Sequence, residues 1–178
     1  MATTRSNPYT AFNFTVELVS GPSTVKLDPK TTGFMECSGL DNEHSPIEYR
    51  EGSGDRGNGD KATGGNFVHK YVGMERYPQV TLRRGITTDQ SLWAWRQLVR
   101  DNPADRTKYV CNVKISLLDE NHQSTKIAWI LQDAWPCKLG GPSFNAKGNE
   151  IAIETLELCC ERISIDTGTS SSGGSTTI

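Results

Sequence analysis

Three glycines in the first third of the chain have a spacing that is found in dinucleotide-binding sites. Gly52, Gly54 and Gly57 match the pattern G-x-G-x-x-G and follow a predicted strand directly. A dinucleotide site needs a helix to begin at this point, because the pyrophosphate binds the free amides of the helix N-terminus. The residues that follow have no helical period, and no second βαβ unit is present. We therefore interpret the match as accidental.

The same glycine-rich segment contains a candidate calcium loop starting at Asp55. Positions 3 and 5 of that loop are Gly57 and Gly59, and position 12 is Asn66 instead of the bidentate glutamate. A calcium site is therefore not predicted. Residues 52–65 are rich in glycine and carry charges of both signs, which indicates a flexible, solvated loop.

Cysteines and histidines are the remaining candidates for metal chemistry. The five cysteines are at positions 37, 111, 137, 159 and 160, without a C-x-x-C pair. Cys159 and Cys160 are adjacent in a strand pattern, so their side chains point to opposite faces and do not readily bind one metal ion. Small buried hydrophobic side chains are the favoured interpretation. The alternative is a zinc site that includes His44, His69 or His122, all three in predicted loops or turns; no cofactor is predicted.

Glu154 and Glu157 are the carboxylates that most resemble an acid/base pair, as in a glycosidase. Their odd-even offset places them on opposite faces of a regular strand, although a bulge there would remove that argument. A solvated or interface role is favoured. The chain also lacks a G-x-S-x-G elbow, an H-E-x-x-H pair and a P-loop, so the sequence does not predict an enzyme.

Charge and hydropathy exclude several classes of partner. Nineteen Lys and Arg against 21 Asp and Glu leave a formal net charge of −2, which gives no reason to expect nucleic acid. The longest apolar run, IAWIL at 127–131, is far shorter than the ~20 residues of a membrane span. Residues 1–8 lack the apolar core of a secretory signal, so we expect cytoplasmic synthesis and assembly.

The elements that must position these residues are mostly strands. Phe12, Phe14, Val16 and Leu18 alternate with polar residues, which predicts a strand with one buried face. The same alternation recurs at 109–117 and at 127–131, on either side of a polar run at 119–123 that predicts a hairpin. In the last strand the apolar phase slips between Ile153 and Leu156, which indicates a bulge, a bend or burial on both faces.

One helix is predicted, over about 88–101. Thr87 and Gln90 have the spacing of a capping box, and the run Asp101-Asn102-Pro103 ends the helix. Its apolar stripe includes Trp95, which we expect in the core. Trp93 lies off that stripe, so core packing and a subunit contact both stay open for it.

The most informative segment runs from Trp135 to Leu158, WPCKLGGPSFNAKGNEIAIETLEL. An aromatic residue and a proline end a predicted strand, a Gly-Gly-Pro turn follows, and an extended acidic-apolar strand completes it. Trp129, Trp135 and Pro136 are predicted structural anchors. None of these residues has a side chain suited to catalysis, so the segment indicates an assembly component and not an enzyme.

This segment resembles the ending of inner tube proteins from contractile phage tails and related injection systems. Five more matches keep the family's order: FNFTVE at 12–17, FMECSGL at 34–40, IEYREG at 47–52, VTLRRG at 80–85 and TDQSLWAW at 88–95. The resemblance covers roughly residues 8 to 163. It implies a mainly β, antiparallel sandwich or barrel-like tail-tube fold with one flanking helix, no enzymatic activity, and hexameric rings stacked into a hollow tube.

The resemblance also implies partners and interface residues. A sheath contracts around the tube, baseplate and tube-terminating proteins bind its ends, and the lumen carries cargo. The tube domain is expected over 1–165, with an arm at about 41–70 that orders against neighbouring subunits, and residues 166–178 form a Ser/Gly/Thr-rich flexible tail. The interface candidates are Glu48, Arg50, Glu51, Asp55, Arg56, Asp60, Lys61 and Trp93. Glu154 and Glu157 are candidates for an acidic lumen lining.

Two alternatives stay open. A specialised baseplate ring or a type VI secretion-like tube protein shares the implied fold. In a different class, a small-ligand β-barrel has comparable strands but is expected to stay monomeric around one closed apolar cavity.

Overall fold

The computed structural model describes residues 8–25, 33–50, 68–122 and 124–166. Within these ranges the chain forms short and long β-strands and one α-helix. The elements in chain order are β1 (Phe14–Ser20), β2 (Glu36–Ser38), β3 (Glu43–His44), β4 (Ile47–Arg50), β5 (Val68–Tyr71), β6 (Glu75–Arg76), β7 (Val80–Gly85), α1 (Ser91–Asp101), a 3₁₀ turn (Arg106–Lys108), β8 (Cys111–Leu118), β9 (Thr125–Gly140), β10 (Ile153–Cys159) and β11 (Arg162–Asp166).

The chain divides into two compact units. The smaller unit is Asp41–Tyr77, and the larger one consists of Met1–Leu40 with Pro78–Ile178. The smaller unit contains two antiparallel pairs, β3 with β6 and β4 with β5. All other elements belong to the larger unit.

Strand β9 organises the larger unit because it belongs to two antiparallel sheets. Its first half pairs with β8 and β11, and β1 extends that sheet beyond β8. Its second half pairs with β10, which in turn pairs with β7 and then β2. The strand order is therefore β1-β8-β9-β10-β7-β2, with β11 on β9.

The change from one sheet to the other occurs at Asp133. This residue has φ +52°, in the left-handed region, and its N–H donates to Asn112 Oδ1 at 3.0 Å. The prediction that Trp135 and Pro136 end the strand is wrong, because β9 continues to Gly140. Pro136 is accommodated inside the strand beside an irregularity at Cys137, where the register with β10 shifts.

Both sheets and the helix contribute to one core. Val113, Ile115 and Leu131 come from the first sheet, and Leu82 and Leu156 come from the second. Helix α1 packs against β9 and adds Leu92 and Trp95. The mainly β, antiparallel fold class with one flanking helix is confirmed.

The helix begins later than the sequence indicates. It runs over Ser91–Asp101, and the predicted capping box between Thr87 and Gln90 does not form. Asp89 instead accepts hydrogen bonds from the N–H and hydroxyl of Ser91, while Thr87 Oγ1 accepts from Asp89 N–H. These local bonds compete with the helix and delay its first turn. The predicted end is confirmed, since Asn102 N–H donates to Leu98 O.

Two strand details also differ from expectation. Phe12 lies exposed in a turn, and β1 begins at Phe14. Asn13 between them is buried, and its backbone carbonyl accepts from Leu118 N–H. In β10 the apolar slip places half-buried Ile153 and buried Leu156 on opposite faces of the strand, and the register with β9 shifts between Glu157 and Leu158. The register of β10 with β7 is regular from Ile153 to Leu158. No helix in the described ranges has the length and apolarity to cross a membrane.

Candidate assembly interface

The residues considered for catalysis or metal binding do not converge. His44 lies in β3 and His69 in β5, so their predicted placement in loops is wrong, whereas His122 does lie in the β8–β9 turn. Within the described ranges no three His, Cys, Asp or Glu side chains are grouped to hold a metal ion. The five cysteines are free thiols. The remaining candidate surfaces are those with exposed apolar or charged side chains.

The β4–β5 ribbon has one apolar and one polar face. Ile47 lies opposite Tyr71, and Tyr49 lies opposite His69. Ile47, Tyr49 and Tyr71 are each more than half exposed, at 57%, 54% and 57%. Because a two-stranded ribbon is marginally stable in water, this exposed aromatic-aliphatic face is a candidate contact surface.

The opposite face of the ribbon carries the charged interface candidates. Glu48 lies opposite Lys70, with 3.7 Å between Oε1 and Nζ, and Arg50 lies opposite Val68. Both members of the Glu48–Lys70 pair are exposed, so the pair adds little stability. The other charged candidates, Glu51, Asp55, Arg56, Asp60 and Lys61, lie outside the described residues. The G-x-G-x-x-G match and the calcium-loop positions also lie there.

Sequence reasoning selected the charged face of the ribbon and missed the apolar one. The signal was present in the run Ile47-Glu48-Tyr49-Arg50, which alternates with the period of a strand. Nearby, Val72 and Met74 are also strongly exposed. Gly73 between them is required by packing, because a Cβ there would lie 1.9 Å from Ser45 O. A larger residue at position 73 would therefore displace the connection between β5 and β6 from Ser45.

A charged surface forms on the second sheet, on the face opposite the core. Arg83 of β7 pairs with Glu36 of β2 at 2.9 Å, and Lys138 of β9 pairs with Glu157 of β10 at 2.6 Å. Glu157 and Lys138 are directly opposite each other in the register. This face therefore alternates acidic and basic side chains, and Glu157 belongs to it.

Glu154 lies on the other face of the same strand. Its carboxylate accepts a hydrogen bond from Arg84 Nε, and Arg84 is only 2% exposed. Arg84 also donates to Asp89 Oδ2 at 3.1 Å and to Asp89 O at 2.9 Å. The two predicted lumen carboxylates are thus on opposite faces, as their spacing indicated, and Glu154 is bound to a buried cation.

The electrostatics of Asp89 follow from this arrangement. Burial alone would raise the pKa of Asp89, but hydrogen bonds from Ser91 and Arg84, with the Arg84 charge, outweigh burial and lower the pKa below its ordinary value of 3.8. Asp89 therefore stays ionised and connects β7 to the start of α1. Arg84 was not singled out by sequence reasoning, because only the register of β7 shows that it follows Val80 and Leu82 on the core face.

The tryptophans differ in their surroundings. Trp95 is buried, and its Nε1 donates to Tyr109 O at 2.7 Å. Trp135 is half-buried, packed edge-on against Tyr109 with 6.5 Å between ring centroids. Trp129 is half-buried against the core, and Pro136 is buried. Trp93 is 55% exposed on the outer side of α1, together with Arg96 and Arg100.

An open apolar groove of about 430 Å³ lies in the larger unit. It is lined by Tyr9, Ala11, Phe14, Met35, Glu36, Cys37, Leu40, Ile115, Leu117 and Trp129. Its single charged side chain, Glu36, is already paired with Arg83. The groove offers no converging polar groups of the kind that orient a small ligand.

Comparison with known proteins identifies relatives of this fold. A protein-family model described as T4-like virus tail tube protein gp19 matches residues 10–164. A search of curated proteins found no match.

Three solved structures are similar to this chain over most of its length. A chain from the anti-feeding prophage tube-terminating cap is 26% identical, with TM-score 0.71, over 94% of this chain and 96% of its own length. A chain from the sheath-tube complex of PVC, an extracellular contractile injection system, is 24% identical, with TM-score 0.69, over 90% and 92%. A chain from the anti-feeding prophage baseplate is 21% identical, with TM-score 0.71, over 90% and 97%.

Proposed function

The chain belongs to the family of T4-like virus tail tube proteins, and from that premise we propose that its copies form hexameric rings that stack into the rigid inner tube of a contractile injection system. A sheath surrounds the tube and drives it through a target envelope, baseplate and terminator proteins bind its ends, and its lumen carries cargo. The subunit is synthesised and assembled in the cytoplasm and ends in the tail or particle.

The observation that carries this proposal is the apolar face of the β4–β5 ribbon. Ile47, Tyr49 and Tyr71 expose large side chains on a ribbon of only two strands. Each side chain is already close to half buried, so covering the rest against a neighbouring subunit contributes roughly half of the value for full burial, about 1 kcal/mol each. An assembly subunit gains this free energy only in the ring or tube.

Unpaired sheet edges support the same conclusion. Within the described ranges β1 and β2 are the terminal strands of the sheet order, and β11 has one neighbour, β9. Such edges are a liability in a monomer, and pairing or covering them in a closed ring removes it. The charged face of the second sheet, with Glu157, Lys138, Arg83 and Glu36, is the surface we assign to the lumen.

The test compares the two faces of the ribbon. Tyr49→Ser with Tyr71→Ser removes the apolar face, while Glu48→Gln with Lys70→Gln removes the opposite ion pair and serves as the matched control. We expect wild-type protein and the control to form rings and tubes in negative-stain micrographs. We expect the tyrosine variant to stay monomeric in analytical ultracentrifugation while keeping its far-UV circular dichroism. Wild-type protein that stays monomeric at high concentration would contradict the proposed function and favour a ligand-binding barrel.

A further inference from the structure

Helix α1 presents a stripe of side chains to its outer side. Arg96 and Gln97 are three and four residues after Trp93, and Arg100 is four and three residues after them, so the four side chains lie on one face of the helix. They line a shallow concavity of about 230 Å³, and Leu139 near the end of β9 completes its wall. The opposite face of α1 is already used, because Leu92 and Trp95 are buried in the core.

The charge of this stripe is positive. In the described part of the chain Arg96 makes no ion pair, and Arg100 meets only its neighbour Asp101, through Nε at 3.1 Å. Arg100 and Asp101 are both exposed, so solvent weakens their interaction. The stripe therefore lacks carboxylates positioned to neutralise two guanidinium groups one helical turn apart.

The composition of the stripe is that of a protein-binding surface. Exposed tryptophan and arginine are the residue types most enriched among those that dominate binding energies. Leu139 is half-buried and supplies an apolar wall beside the Trp93 ring. An occupant that matches this surface has one apolar side chain for Trp93 and Leu139 and two carboxylates spaced like Arg96 and Arg100.

The position of the stripe distinguishes the kind of partner. The ring proposed above closes through sheet edges and the β4–β5 ribbon, which have unpaired backbone or apolar surface. A helix has no free backbone edge along its length, so α1 contributes nothing to edge pairing. Its outer face is therefore not used by the edge pairing proposed for the ring.

We infer that Trp93, Arg96 and Arg100 form the docking surface for an acidic segment of the surrounding sheath protein. The inference rests on the proposed tube function and deepens it. The partner segment is helical or extended, places two carboxylates on the two arginines, and covers Trp93 with an apolar side chain. The sequence left core packing and a contact between tube subunits open for Trp93, and a contact with a different protein was not considered.

The test uses two synthetic helical peptides of about 16 residues. One carries a leucine and two glutamates spaced four residues apart, and the other has glutamines in place of those glutamates. Binding to the full chain is followed by tryptophan fluorescence and by co-sedimentation at low and high salt. The test variant is Arg96→Gln with Arg100→Gln. The control, Arg106→Gln with Lys108→Gln, removes the same charge from exposed positions elsewhere.

We expect wild-type protein and the control to bind the glutamate peptide about tenfold more tightly than the glutamine peptide. The Arg96/Arg100 variant should bind both peptides equally, and Trp93→Ser should weaken both. High salt should remove the preference.

Equal binding of both peptides by wild-type protein, or an equal loss in the control, overturns the inference. Failure of the Arg96/Arg100 variant to form tubes, when wild-type protein forms them, also overturns it, because the occupant is then a second copy of this chain. The peptide comparison can be read on monomers, so its failure is distinct from a failure of tube assembly.

Discussion

Replacing Arg84 with methionine isolates the buried ion network between β7, β10 and the start of α1. Methionine keeps most of the side-chain volume and removes the donors to Glu154 and to Asp89. Glu154 and Asp89 then lose their cation although both are partly buried, with 17% and 25% of their side chains exposed. Removing one partner of a buried pair typically costs about 3–5 kcal/mol. Partial hydration of the two carboxylates places the expected loss at the lower end, about 3 kcal/mol.

The adjacent residue supplies a matched control. Arg83 is on the opposite face of β7 and pairs with Glu36, and both side chains are more than 40% exposed. Arg83→Met should therefore cost no more than about 1 kcal/mol. For a chain of 178 residues, a loss of 3 kcal/mol corresponds to a decrease in Tm of about 6–12 °C, and the control to less than about 4 °C.

The assay is thermal unfolding at protein concentrations low enough to keep the chain monomeric, because assembly raises the apparent Tm. Arg84→Met combined with Glu154→Gln should recover part of the loss, since the double variant leaves one fewer unpaired carboxylate. The reasoning is refuted if Arg84→Met and Arg83→Met have the same Tm, or if Glu154→Gln adds its full cost to Arg84→Met.

Acid unfolding gives an independent check of the same network. Asp89 has a lowered pKa in the folded chain. A carboxyl group of this kind stabilises the fold above its unfolded-state pKa, and the contribution is lost as pH falls through the folded-state pKa. Wild-type stability should therefore decrease below pH ~4. In Arg84→Met the pKa of Asp89 should be lowered less, so the variant should show a shallower acid-induced loss from its lower starting stability.

Three further predictions concern core and turn. Trp95→Ala should lower the free energy of unfolding by about 3–5 kcal/mol, and Trp135→Ala by roughly half of that because Trp135 is only half-buried, as measured by chemical denaturation. Equal losses for the two variants would contradict the assigned difference in burial. Burial raises the pKa of Cys37 and of Cys111 to about 11, so iodoacetamide at pH 8 should label both roughly a hundredfold more slowly in native than in denatured protein, as followed by mass spectrometry. His122 has φ +55°, so His122→Val should lower Tm while His122→Gly should not.

Local sequence patterns correctly predicted the strands and the helix whose apolar residues recur at regular spacing. The alternation over 109–117 became β8, and the polar run after it became the connection to β9. The apolar stripe that includes Leu92 and Trp95 was correctly placed in the core. These features follow from periodicity, because a residue's neighbours two, three or four positions away decide which face it occupies.

Non-local geometry explains what the sequence did not reveal. The continuity of β9 past Trp135 and Pro136 depends on the bend at Asp133, where Asn112 of a neighbouring strand binds the backbone. Proline usually argues against a strand interior, so the expectation of a strand end was reasonable. The ion network at the start of α1 likewise depends on Glu154 of β10, which binds the buried Arg84 that donates to Asp89. No window of neighbouring residues contains such information.

The two carboxylates of β10 show how this affects a functional assignment. Glu154 and Glu157 look equivalent in sequence, yet one binds a buried arginine and the other pairs with Lys138 on the outward face. A substitution at Glu154 breaks its pair with Arg84 and lowers the stability of the subunit, so it does not report on the charge of a lumen. Glu157 is itself only 20% exposed, but its partner Lys138 is 66% exposed and stays hydrated, so neutralising Glu157 should cost less than breaking the buried pair at Glu154. A charged lumen is therefore tested at Glu157 and Lys138, where an effect on cargo or transport can be separated from an effect on the fold.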